Sequence, residues 1–146
     1  MADPTLLICV GATKAGTSWM YRYLHDHEAF YVRSVKEYLY FTIFKNKKLM
    51  RNLKVLNFLI VQYEARLLEA EAADDIIRIL NLSRRIDDTK ALFMALSAER
   101  SDDAAYLGYL QAGRTHETVV LDVTPADALL EPAEILRISK LPIRVK

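Results

Sequence analysis

The chain has 146 residues, 52% of them apolar and 27% charged, with a formal net charge of +1. That suits one globular domain with a buried core and excludes a disordered, fibrous or collagen-like chain. A net charge so near zero argues neither for nor against nucleic acid, and the single cysteine, Cys9, excludes an intrachain disulfide and a cysteine-rich metal cluster.

Met1-Ala2-Asp3-Pro4 lacks a basic flank, and the apolar run behind it is only about six residues long. It reads as neither a signal peptide nor a membrane span, so a soluble, cytoplasmic protein is expected. Thr5 to Val10 (TLLICV) is a short apolar run rich in β-formers, as for a strand buried on both faces. Within it Cys9 is expected to act as a small buried apolar residue. The run stops at Gly11, and the loop GATKAGTS leads into a helix from Trp19 to about His27. Strand, glycine-bearing loop and helix in that order open a nucleotide-binding α/β domain. Phe30-Tyr31-Val32 can return to the sheet, and Lys36 to Phe41 reads as strand or loop.

From Lys45 to about Gly113 the pattern is helical. Leu49, Leu53, Leu56, Ile60, Tyr63 and Leu67 form one stripe on a long amphipathic helix. Asp74 or Asp75, Asp87 or Asp88, and Ser101 are candidate N-caps of three more helices, with Gly113 suited to the position just past the last. Thr118 to Val123 (TVVLDV) is a second buried strand. Pro132 fits the first turn of a final helix running to about Lys140, and Ile143-Arg144-Val145 begins a further strand. No internal repeat or linker divides the chain, so residues 1–146 are expected to form one domain.

Gly11-Ala12-Thr13-Lys14-Ala15-Gly16-Thr17-Ser18 nearly matches the Walker A pattern, but its lysine precedes the second glycine by two residues. The physics survives that displacement. A helix N-terminus presents backbone N–H groups and a positive dipole end to an anion, Gly16 permits close approach, Thr17 and Ser18 add hydroxyls, and Lys14 adds a full charge. Asp122 alone could serve as the magnesium-holding aspartate of an ATPase or GTPase, and the displaced lysine argues against that class.

TKAGTSWMYRYL is similar to the 5′-phosphosulfate-binding loop of sulfotransferases that use 3′-phosphoadenosine 5′-phosphosulfate (PAPS), whose usual form is K-x-G-T-[ST] followed by a helix. Leu24-His25-Asp26-His27 resembles the family's L-x-x-H-P helix end, and Lys36-Glu37-Tyr38-Leu39-Tyr40-Phe41 its K-E-x-x-[FY]-F segment. Leu121-Asp122-Val123-Thr124-Pro125-Ala126 resembles its G-[DE]-x-T-P-A-Y strand end. The likeness is strongest to the Golgi-type heparan sulfate sulfotransferases and their bacterial cousins. It covers about residues 5–41 and 106–145 and leaves the helical middle, about 45–113, as an insertion.

The resemblance implies a P-loop-like α/β fold with a parallel sheet and PAPS as co-substrate, with no metal required. Lys14 would stabilise the leaving phosphate oxygen, and Ala15, Gly16, Thr17 and Ser18 would hold that phosphate. Trp19 stands where cytosolic members stack adenine. Glu37 matches the general base, and Lys36 would keep it ionised or touch the acceptor. The partners implied are a small-molecule or carbohydrate acceptor, with no nucleic acid and no membrane. Glu28 and Asp127 depart from the family's proline and tyrosine or serine. The family's 3′-phosphate motif follows the strand that begins here near Ile143, and the chain ends at Lys146. A domain truncated there is expected to self-associate through exposed edges. Two alternatives stand beside the enzyme: a catalytically inactive binding or self-associating fragment, and a kinase-like P-loop protein.

Other residues carry plainer expectations. His25 and His27 suit helix capping, and His116 a solvated turn. Lys45, Lys47, Lys48, Arg51 and Lys54 form a cationic run that is either a solvated face or an attractor for an anionic acceptor.

Overall fold

The computed structural model describes residues 3–11, 14, 16–45, 48–100 and 103–146, with backbone only at 44 and 45. In chain order these form β1 (Thr5–Cys9), α1 (Thr17–His25), β2 (Phe30–Tyr31), α2 (Tyr40–Lys45), α3 (Leu49–Ala72) and α4 (Ile76–Ser97). There follow α5 (Ala104–Gln111), β3 (Val119–Val123), a 3-10 turn (Pro125–Leu129), α6 (Pro132–Ile138) and β4 (Arg144–Val145). The strands are all parallel in the order β2-β3-β1-β4, so the chain is an α/β protein. Among the described residues no helix is long and apolar enough to cross a membrane.

Strand alternation sorts the sheet's two faces. Leu6 and Val120 point into the main core, built from Tyr40, Phe41, Tyr106, Leu110 and side chains of α4 and α6. Leu7, Cys9, Leu121 and Val123 point the other way, onto Met20, Tyr21 and Leu24 of α1. That second face has one short helix over it. Leu7 and Cys9 are therefore only partly buried, against the expectation that β1 and its cysteine are buried on both sides.

The topology positions the site. From β1 the chain crosses over the α1 face to β2, passing beyond β3. From β3 it crosses over the opposite face, through α6, to β4 on the far side of β1. Direction and face both reverse, so the two crossovers keep one hand. The chain thus leaves the carboxyl ends of β1 and β3 on opposite faces. Between two such neighbours a crevice opens, the usual ligand position of open parallel sheets.

Helix α4 holds the segment that follows β2, Val32 to Ser34. Asp88 accepts from Arg33 Nη1 at 2.8 Å, from the Ser34 N–H at 2.6 Å and from Ser34 Oγ at 2.6 Å, and Arg84 donates to the Val32 carbonyl at 2.8 Å. Asp88 is consequently no helix start, as the sequence suggested for Asp87 or Asp88: α4 runs through it unbroken. Asp75 does cap α4, accepting from the Arg78 N–H at 3.1 Å. Ser101 lies outside the described residues, and Asp103 occupies the cap position of α5. Gly113 follows α5 with φ 89°, and a Cβ there would stand 2.6 Å from Tyr31 Oη. Lys36 to Phe41 is loop as far as Leu39, after which Tyr40 and Phe41 begin α2. His27 Nδ1 accepts from the Ala29 N–H at 3.2 Å beyond the end of α1, while His116 is exposed.

Candidate functional site

Two segments meet at the crevice between β1 and β3. The first is the loop leaving β1. Lys14 (φ 66°) and Gly16 (φ 85°) both adopt the left-handed conformation, which costs a side-chain-bearing residue about 1–2 kcal/mol and glycine little. The Gly16 carbonyl then accepts from Trp19 N at 3.0 Å and Met20 N at 3.1 Å, starting α1. This helix has no side-chain cap and no acidic residue in its first turn. Its leading N–H groups have no intrahelical acceptor and form the positive end of the dipole. Thr17 is buried with its methyl group towards Gly11, whereas Lys14 and Ser18 are exposed.

The second segment is the loop before α2. The Glu37 N–H donates to the Val123 carbonyl at 3.2 Å, fastening it to the end of β3. Tyr38 is buried, donates to the Leu121 carbonyl at 3.3 Å and meets the Tyr109 ring edge-on at 5.2 Å. With the backbone pinned there, Glu37 (φ 61°) and Leu39 (φ 57°) both stand in the left-handed region. Such strain at side-chain-bearing residues persists where the surroundings over-determine it. Tyr38 points inward, and Lys36 and Glu37 are left at the crevice.

Side chains of the two segments touch. Lys36 Nζ donates to Ser18 Oγ at 2.8 Å and lies 3.9 Å from Glu37 Oε1. The structure therefore brings Gly16, Thr17 and Ser18 to the same edge as Lys36 and Glu37, with Lys14 in the intervening loop. Ala15 lies outside the described residues. The Trp19 ring is 72% exposed and stacks on Tyr23, with centroids 5.5 Å apart and 12° between planes. A helix N-terminus and the Lys36 ammonium, with Lys14 in the loop just before the helix, make the crevice attractive to an anion.

Asp122 has another role than the magnesium-holding one considered for it. It is fully buried, and its two oxygens accept from Tyr106 Oη and Thr124 Oγ1, each at 2.6 Å. Burial pushes its carboxyl up to about 7, against the pull of those two hydrogen bonds. Asp127, also buried, accepts from Thr42 Oγ1 at 2.6 Å, and burial raises its carboxyl too. Asp122 and Asp127, with Tyr38 and Tyr106, form one buried polar cluster. The sequence offers Asp122 as a motif position and possible magnesium ligand and Asp127 as a departure from the family pattern, and the one local sign of their buried arrangement is the Asp-x-Thr spacing that lets Thr124 bond Asp122. No family model, no curated protein and no solved structure matches the chain.

Proposed function

We propose that this chain is a P-loop-like sulfotransferase domain that binds PAPS and transfers its sulfuryl group to a hydroxyl or amine of a carbohydrate or small molecule. The observation that carries the reading is the meeting of the Lys14–Ser18 loop with Lys36 and Glu37 at the carboxyl ends of β1 and β3. Those are the segments whose sequences resemble the family's phosphosulfate loop and general-base motif. In the transfer, the acceptor oxygen or nitrogen bonds to sulfur as the bond from sulfur to the 5′-phosphate oxygen breaks. The acceptor's proton passes to the Glu37 carboxylate. Lys14 and the first N–H groups of α1 hold the charge that gathers on the departing phosphate. The Lys36 ammonium, which donates to Ser18 Oγ, sets a positive charge 3.9 Å from the Glu37 carboxylate, on the side of the loop that would take the phosphate.

The test is calorimetric titration with the product nucleotide, 3′-phosphoadenosine 5′-phosphate. Binding in the micromolar range is expected for the natural sequence, with loss in Lys14→Ala. Glu37→Gln should bind as the natural sequence does while losing about 10²–10⁴ in transfer rate from PAPS, the usual value of a positioned base. Failure of the natural sequence to bind the nucleotide sinks the proposal.

A further inference from the structure

The transfer reading makes no use of α3, whose two sides are unlike. One side packs against α4 and the core through Leu49, Leu53, Leu56, Ile60 and Ala70. The other faces solvent and carries a second apolar series, Met50, Phe58, Val61 and Leu68, each more than half exposed. With exposed Lys54 and Ala65 these positions follow steps of four, four, three, four and three, the spacing of a coiled-coil seam.

Charge along α3 is divided end from end. From Lys45 to Tyr63 there is no acidic residue, whereas from Glu64 to Asp75 there are Glu64, Glu69, Glu71, Asp74 and Asp75 against Arg66 alone. Both ends oppose the helix dipole, with cations at the amino end and acids at the carboxyl end. Lys90 engages Glu64 and Arg78 engages Glu69, but Arg51 and Glu71 have no ion pair among the described residues.

We infer that α3 is the contact of an antiparallel homodimer, two copies related by a two-fold axis at Val61. This register sets Arg51 against Glu71 of the other copy and Lys48 against Asp74, each pair occurring twice as two-fold symmetry requires. Every helix end then receives the charge that its own dipole favours. Lys54 falls opposite Leu68, so Leu68 of one copy enters the depression of about 440 Å³ formed by Met50, Arg51, Lys54, Val55 and Phe58 of the other. A parallel pair would set like charges together. The 24 residues of α3 make a rod about 36 Å long. A single pair of such rods buries on the order of 1,000 Å² in total, at the lower limit of specific interfaces, so a micromolar dimer is expected.

Sedimentation equilibrium from about 1 to 300 µM tests this. The natural sequence should pass from monomer to dimer within that range. Arg51→Glu should weaken the dimer at least about tenfold, Phe58→Glu should abolish it, and the Arg51→Glu, Glu71→Arg double variant should restore it. Far-ultraviolet circular dichroism checks that each variant keeps its helices. In a Cys9→Ala background, mild oxidation of Val61→Cys should give a disulfide-linked dimer, since the axis brings the two copies of that residue together. A monomer throughout the range overturns the inference, and so does a dimer indifferent to Arg51→Glu and Phe58→Glu. A dimer that forms with no cross-link at position 61 overturns the register.

Discussion

Asp122 holds a carboxyl group where no water reaches it, and two hydroxyl donors do not fully offset the cost of charging it there. Its ordinary value of 3.8 rises to about 7 in the folded chain. Between those values the folded protein keeps a proton that the unfolded chain has released. Stability contributed by this group therefore falls as pH rises through that window and levels off above about 7. At about 1.4 kcal/mol per pH unit the loss amounts to a few kcal/mol. Asp122→Asn is nearly isosteric and cannot ionise, so it should be free of this loss. Urea unfolding at pH 5, 6.5 and 8 should show the natural sequence losing stability relative to the variant as pH rises. A difference between the two proteins that does not change with pH would place the buried proton elsewhere. Asp127, raised by the same cause, shares the direction and adds to the natural sequence's own pH dependence.

At the scale of elements, the segment after β2 shows how side chains tie a loop to a distant helix. Asp88, in the interior of α4, takes three hydrogen bonds from Arg33 and Ser34, and the Arg33 guanidinium lies 4.5 Å from the Tyr109 ring centroid. Asp88→Ala would leave a buried guanidinium without its counter-charge, a situation that costs about 3–5 kcal/mol. The double variant Arg33→Met, Asp88→Leu should recover most of that in urea unfolding, because it leaves no lone charge. A cost under about 1 kcal/mol for Asp88→Ala would show that α4 does not hold this segment. The same residue marks where sequence reasoning stops. The strands TLLICV and TVVLDV, the glycine-bearing turn into α1 and the inward stripe of α3 are local patterns, and they stand within a residue or two of where the spacing placed them. Asp88 looks like a helix cap because cap chemistry and loop-tying chemistry use the same carboxylate. What separates them is a contact with residues more than fifty positions away. The Lys36–Phe41 segment is likewise ambiguous locally, since its left-handed turns depend on β3 being beside it.

The meeting of the candidate site's two segments is a property of the whole molecule. Lys14 to Ser18 and Lys36 to Glu37 are separately readable as motifs, but only the order β2-β3-β1-β4 puts both at one crevice. That order arises from long-range strand pairing, which no window of sequence encodes. The same architecture divides the molecule by stability. β1 and β3 are the two inner strands of the sheet, whereas α3 buries three residues of its 24 and α4 seven of its 22. A helix held mainly along one neighbour has little to lose on opening, so α3 should open without the sheet unfolding. Amide hydrogen exchange should show the middle of α3, about Leu53 to Glu64, exchanging at least about tenfold faster than Leu6–Ile8 and Val120–Asp122 at low protein concentration. Raising the concentration into the dimer range should slow exchange in α3 and leave the inner strands unchanged, because association stabilises only the state in which α3 is formed. Equal protection of α3 and the strands in dilute protein would make the molecule one cooperative unit. Protection of α3 that ignores concentration would leave its outer face without the partner that its charges call for.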